Sequence, residues 1–156
     1  MRLVYMAGKG GVGKSVCSAA TGLWASEQGK KTLAFSMDPA HSLSDILEVE
    51  LGNRPTRIAE NLDGVEPDLA AEAEKFYAAY RSLFRALFEM FQFEVRPSDF
   101  GAVPGVGELI FMDRLYDVYM QGDYDVVVID SAPTALVLPL LKLPEVTTGV
   151  VTRLLG

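Results

Sequence analysis

A glycine-rich segment near the N-terminus constrains the fold more than any other part of this chain. It reads Gly8-Lys9-Gly10-Gly11-Val12-Gly13-Lys14-Ser15 and contains the G-x-x-x-x-G-K-[ST] spacing of a phosphate-binding loop. The apolar stretch Leu3 to Met6 predicts a buried strand before it, and a helical pattern begins at Ser15. In the order strand, loop, helix, backbone N–H groups and a helix N-terminus can surround phosphate oxygens. The segment predicts a nucleoside triphosphate site; the alternative is a glycine-rich turn with a solvated lysine.

Three side chains of the loop are candidates for direct contact with the triphosphate. Lys14 is expected to reach the β and γ phosphates, and the Ser15 hydroxyl to ligate Mg²⁺. Lys9 stands at the second position of the loop, where most phosphate loops require no lysine. This resembles the deviant form K-G-G-x-G-K-[ST], whose extra lysine crosses a dimer interface to the partner's phosphates. Otherwise Lys9 is an ordinary surface lysine.

Composition narrows the classes of partner. The chain has 156 residues, enough for one domain or part of one, and 49% of them are hydrophobic, which argues against disorder. A net charge of −7 argues against nucleic acid or an anionic membrane as a general partner. The single cysteine, Cys17, excludes an internal disulfide and is expected to be a small core residue. No secretory signal is visible, so we expect a cytoplasmic protein that is peripheral to a membrane only through a partner.

Strand and helix patterns alternate and predict an α/β fold, a mostly parallel sheet flanked by helices. The first helix, Ser15 to Gly29, carries apolar residues at helical spacing: Val16, Ala19, Ala20, Leu23 and Trp24. The other predicted elements are a strand at Lys31 to Met37, a short helix at Leu43 to Leu47, an edge strand at Leu62 to Glu66, helices at Asp68 to Arg96 and Gly105 to Gln121, and a strand at Asp125 to Asp130.

Two carboxylates stand at the ends of predicted strands. Asp130 ends the β-branched run Val126 to Ile129, a position that places a carboxylate near Mg²⁺ in phosphate-loop enzymes; the alternative is an ordinary strand-end cap. Asp38 ends the second strand and would orient the attacking water or enter the Mg²⁺ shell. Hydrolysis of a phosphoanhydride depends mainly on positioning and charge neutralisation. The two acids and the loop lysines are the types of group that this reaction requires.

Four segments in this order resemble the arsenite-pump ATPase family (ArsA), which includes the guided-entry ATPases that target tail-anchored membrane proteins. They are Gly8 to Ser15, Asp38-Pro39-Ala40-His41-Ser42-Leu43-Ser44-Asp45, Pro104-Gly105-Val106-Gly107-Glu108 and Asp130-Ser131-Ala132-Pro133-Thr134. The resemblance implies ATP and Mg²⁺ as cofactors, with nucleotide contacts from Gly8 to Val16 and from Pro133. It also implies a nucleotide-sandwich homodimer or pseudo-dimer, in which Lys9 acts in trans and Asp38 positions water or metal.

The chain departs from the family pattern at two places. Family members commonly follow Ala-Pro-Thr with Gly and His, whereas Ala135 and Leu136 follow Thr134 here. Related ATPases also carry further strands after the position of Asp130, including those that contact the adenine, whereas this chain ends at Gly156. We therefore expect a single P-loop domain over residues 1–156 from which the C-terminal part of the fold is missing.

A helical insertion is expected within this domain, over residues 68–121. Its apolar positions between Leu69 and Phe93 are broader than one narrow seam, and they fit either core or interface packing or the binding of a hydrophobic client. The sequence thus predicts an ATP-hydrolysing switch that drives a partner such as a membrane pump. A slow, nucleotide-gated carrier of hydrophobic membrane-protein segments and, more distantly, a partition or septum-site ATPase remain as alternatives.

Overall fold

The computed structural model describes residues 1–38, 42–82 and 106–131. Residues 39–41, 83–105 and 132–156, Pro133 included, lie outside this range, and so do the predictions made for them. The described helices and strands are β1 (Arg2–Met6), α1 (Lys14–Glu27), β2 (Thr32–Ser36), α2 (Ser42–Leu47), β3 (Thr56–Ala59), β4 (Leu62–Val65), α3 (Leu69–Ala79), α4 (Val106–Gln121) and β5 (Val126–Asp130).

The strands form one mostly parallel sheet in the order β1-β5-β2-β4-β3. Among the described strands, only β3 runs antiparallel to its neighbour. The last described strand, β5, lies between β1 and β2, and its final residue Asp130 is level with Met6 on one side and Ser36 on the other. The carboxyl ends of three strands therefore meet at one edge, where the glycine-rich loop begins.

Helices cover both faces of the sheet. Alternate residues of a strand point to opposite faces, and both central strands are apolar on both sides, as expected for a parallel sheet between helical layers. On one face Leu33 and Ile129 pack with Phe111 and Leu115 of α4. On the other face Ala34 and Leu62 pack with residues of α1 and α2, among them Leu43. This arrangement confirms the predicted α/β class.

The buried face of α1 differs from the predicted one. The helix buries Ser18, Ala19, Gly22, Ala25 and Ser26, whereas Val16, Cys17, Leu23 and Trp24 are exposed, Trp24 at 62%. The reason is a close approach to the sheet, because a Cβ at Gly22 would lie 3.3 Å from Leu62 Cδ1. Only small side chains fit such a contact. The buried face predicted from the spacing of large apolar residues was therefore wrong, and so was the core position expected for Cys17.

The region before α3 contains two strands where the sequence predicted a single edge strand. β4 is internal, because it pairs with β2 on one side and with β3 on the other. The two-residue turn Glu60-Asn61, with Asn61 at φ 59°, connects β3 to β4. β3 is the short edge strand. The apolar pattern did not predict it, because two of its four residues, Thr56 and Arg57, are polar.

Two helices follow β4 near their predicted starts. Asp68 caps α3 by accepting hydrogen bonds from Ala70 N (2.7 Å) and Ala71 N (3.2 Å). α4 ends before Gly122, which adopts φ 68°. The Tyr80 hydroxyl donates to Asp113 Oδ1 at 2.8 Å and links the segment after α3 to α4.

Of the helices in the described ranges, none is long and apolar enough to cross a membrane.

Candidate functional site

The glycine-rich loop joins β1 to α1 at the carboxyl edge of the sheet. Gly13 is the N-cap of α1 and adopts φ 85° and ψ 25°, a left-handed conformation that favours glycine. Gly11 also has a positive φ, 75°. No side chain of the described residues caps this helix. Its first backbone N–H groups are therefore suited to an anion, which the helix dipole also favours.

Lys14 lies inside the loop. Its side chain is 9% exposed, and its ammonium donates a hydrogen bond to the Lys9 carbonyl oxygen at 3.3 Å. Gly8 allows this folding, because a Cβ there would meet Val12 Cγ2 at 3.0 Å and the Lys14 stem at 3.7 Å. The cation is thus held among backbone groups by a neutral acceptor, which an anionic phosphate oxygen can replace favourably.

Asp130 is the buried carboxylate of the site. Its Oδ1 accepts a hydrogen bond from Ser18 Oγ at 3.2 Å, whereas its Oδ2 is buried and has no hydrogen-bond partner among the described residues. Burial raises the pKa of the Asp130 carboxyl above its ordinary value, and the charge of Asp38 adds to this effect. The pKa is lowered in turn by the hydroxyls of Ser15 and Ser18 and by the Lys14 cation. The Ser15 hydroxyl lies near the carboxyl but makes no hydrogen bond to its Oδ2.

Ser15 and Asp38 complete the group of oxygen atoms at this edge. Ser15 Oγ is 2.8 Å from the hydroxyl of Ser42, the first residue of α2. Asp38 follows β2, and its backbone N–H donates to Ser36 Oγ at 3.2 Å. Because β2 lies beside β5, the negative charges of Asp38 and Asp130 are close enough to influence each other.

These residues fit a magnesium ion. Mg²⁺ prefers oxygen ligands and, at phosphate sites, uses one or two protein ligands together with phosphates and water. Oxygen ligands of this kind are the Ser15 hydroxyl, the Asp38 carboxylate and Asp130 Oδ2, which is buried and accepts no hydrogen bond from the part of the chain that the structure describes. No larger cluster of His, Cys, Asp or Glu suited to a metal occurs within residues 1–38, 42–82 and 106–131.

The structure brings together the predicted residues Lys14, Ser15, Asp38 and Asp130. Gly8, Gly10, Gly11, Val12 and Gly13 form the loop around Lys14, while the side chains of Lys9 and Val16 are exposed. Sequence reasoning missed Ser18, Ser42, Ser131 and Glu66. Ser18 was detectable, since it stands three residues after Ser15 on the same face of α1. The others act through contacts between distant segments, such as the 2.6 Å hydrogen bond from Ser131 Oγ to the Met6 carbonyl.

A parallel sheet with a glycine-rich loop after its first strand and an acid at the end of a neighbouring strand defines a P-loop NTPase fold. Within that class, the family model described as anion-transporting ATPase matches residues 1–156, and the chain belongs to this family.

Curated relatives agree with this assignment. The chain is 38% identical over 146 residues to a Chlorobaculum tepidum protein assigned as an arsenical pump-driving ATPase; the match covers 93% of the chain and 36% of that relative. It is 38% identical over 147 residues to a second such protein, from Aquifex aeolicus, covering 91% and 49%. It is 30% identical over 158 residues to ATPase ASNA1 homolog 1 of Paramecium tetraurelia, covering 94% and 44%. The chain thus spans about a third to a half of the length of these relatives.

Proposed function

We propose that this chain binds ATP with Mg²⁺ and hydrolyses it, acting as a nucleotide switch. The observation that carries the proposal is the placement of Asp130 Oδ2, a buried oxygen with no hydrogen-bond partner among the described residues, at the strand edge where Lys14 and Ser15 also lie. An unsatisfied buried oxygen costs free energy, so its retention favours a site that a cation completes. Membership of the anion-transporting ATPase family supports the same activity.

Each residue has a distinct task in this reaction. The loop N–H groups and Lys14 would hold the β and γ phosphates and balance their charge. Ser15 and Asp130 would hold Mg²⁺, which neutralises charge that develops on the phosphate oxygens. Asp38 would orient a water molecule that attacks the γ phosphorus, forming one P–O bond while the bond to the bridging oxygen breaks and ADP leaves.

Lys9 supports a dimeric form of the switch. Its side chain is exposed, whereas Lys14 is buried in the loop. An exposed cation beside the phosphate site can reach the phosphates of a second copy, as the deviant loop form implies. Hydrolysis in such a nucleotide-sandwich dimer would drive a partner, for which a membrane pump subunit is the first candidate.

One observation favours a second candidate function, a nucleotide-gated carrier for hydrophobic segments. Apolar residues at helical spacing are exposed along α4: Leu109 at 42%, Met112 at 49%, Tyr116 at 59%, Tyr119 at 56% and Met120 at 62%. Met-containing helical surfaces accept varied apolar ligands. The two candidates separate in one assay, in which the ATPase rate is measured with arsenite or antimonite and, separately, with a hydrophobic peptide.

The activity itself is tested with the purified protein and two variants. Two unit charges about 4 Å apart at an effective dielectric constant of about 20 interact by about 4 kcal/mol, of which solvation offsets part. We therefore expect Lys14→Ala to weaken ATP binding by about 100-fold. Asp38→Asn should bind ATP-Mg²⁺ but stop turnover. Lys30→Ala, an exposed lysine after α1, is the matched control and should behave as wild type. Unchanged ATP affinity in Lys14→Ala would reject the proposal.

A further inference from the structure

Glu66 is a buried carboxylate that the reaction described above does not use. It follows β4 directly and is 2% exposed. Its Oε1 accepts a hydrogen bond from Leu43 N at 2.9 Å, and its Oε2 accepts from Ser44 N at 3.3 Å and from the Ser44 hydroxyl. A buried carboxylate is costly unless it is hydrogen-bonded, and here the N–H groups of the first turn of α2 satisfy it.

The backbone around Glu66, just after β4, is itself held by hydrogen bonds. The Glu66 N–H donates to the Gly52 carbonyl at 3.0 Å, and Asp68 N donates to Asn53 Oδ1 at 2.6 Å. The Ser44 hydroxyl, which donates to Glu66, also accepts from Leu51 N at 3.2 Å. The segment after β4 is therefore bonded both to the start of α2 and to the chain that follows it.

The start of α2 belongs to the nucleotide site. Ser42, its first residue, lies 2.8 Å from Ser15 Oγ, the hydroxyl expected to bind Mg²⁺. The next residue, Leu43, is fully buried in the core beneath α1 and α2 and is the one whose N–H Glu66 holds. Only a few residues separate Ser42 from Asp38, so the position of α2 limits where that carboxylate can lie.

We infer that Glu66 is a positioning residue for ATP hydrolysis: through the first turn of α2 it holds Ser42 against Ser15 and limits where Asp38 can lie. This inference rests on the proposed function. Small errors in the placement of reacting groups can lower rates by up to about 100-fold. Loss of the Glu66 anchor should therefore affect the Mg²⁺-dependent steps, whereas phosphate binding by the loop and Lys14 should persist.

The test uses Glu66→Gln in the purified protein. The amide keeps one acceptor oxygen, but it turns an N–H₂ group toward a donor that Glu66 now accepts from. We expect kcat to fall about tenfold and the Mg²⁺ concentration needed for half-maximal binding of a non-hydrolysable ATP analogue to rise about tenfold. Analogue affinity without Mg²⁺ should stay within about twofold of wild type. Ser44→Ala, which removes one donor to Glu66, should give a smaller change in the same direction.

Glu72→Gln is the matched control, because Glu72 is also buried, at 6% exposure, but pairs with Lys75 on α3. It should leave kcat and the Mg²⁺ requirement unchanged. The inference is overturned if Glu66→Gln behaves as wild type, if Glu72→Gln shows the same loss, or if Glu66→Gln weakens analogue binding equally with and without Mg²⁺. A wild-type protein that binds no analogue would instead reject the proposed function, and the role of Glu66 with it.

Discussion

The left-handed conformation of Gly13 permits a prediction in which one energetic effect can be isolated. An L-residue pays about 1–2 kcal/mol in this region of backbone space. A Cβ at Gly13 would meet nothing within 4 Å, so no steric clash adds to that cost. Replacing glycine by alanine also restricts the unfolded chain, which returns about 0.4–1 kcal/mol. Gly13→Ala should therefore lower the free energy of unfolding by up to about 1.6 kcal/mol.

Gly10→Ala is the matched control for this prediction. Gly10 lies in the same loop, has open space around an added Cβ, and is not among the glycines with positive φ. It should stabilise the protein by about 0.4–1 kcal/mol, because alanine restricts the unfolded chain there in the same way. The two variants should therefore differ by about 1–2 kcal/mol, the strain alone. Urea denaturation of the nucleotide-free protein measures both. Equal stabilities would refute the assignment of strain to Gly13. The affinity for ATP should also fall in Gly13→Ala, because residue 13 is the N-cap of α1 and strain there would displace the N–H groups that face the phosphates.

Two further substitutions test the charges of the site. Burial raises the pKa of the Asp130 carboxyl in the folded state above its ordinary value of 3.8. The protonated carboxyl therefore favours folding below pH 3.8, and this contribution is lost as the pH rises through the raised pKa. Asp130→Asn should therefore stabilise the nucleotide-free protein at neutral pH while weakening Mg²⁺-dependent nucleotide binding; a destabilised variant in urea denaturation at pH 7 would contradict this sign. Lys9→Ala should abolish self-association promoted by ATP-Mg²⁺ but keep nucleotide binding, and sedimentation showing one mass for wild type with and without ATP-Mg²⁺ would argue against a role in trans.

Local patterns predicted most elements of the fold and the loop of the site. The glycine spacing, the strand before it and the helix after it all lie within one short segment, so their physical cause is local. The strand, β1, was however expected to be buried, whereas Leu3 is 50% and Tyr5 39% exposed. The prediction was wrong where tertiary contacts decided the outcome. In α1 a close approach to Leu62 buries small residues, whereas Trp24 is exposed. The strand at Leu62 was expected at an edge but is internal, because the short β3 pairs with its outer side.

By itself, the sequence determined which groups could bind a triphosphate: a loop that only glycines can shape, two lysines, and acids at the ends of apolar strands. The tertiary structure decided which of these groups meet. Ser18 and Asp130 are 112 positions apart, and they are neighbours only because β5 inserts between β1 and β2. The hydrogen bonds of Glu66 to α2 likewise join positions 22 and 23 residues apart. Local periodicity describes one element at a time, whereas these contacts depend on the order in which the strands assemble.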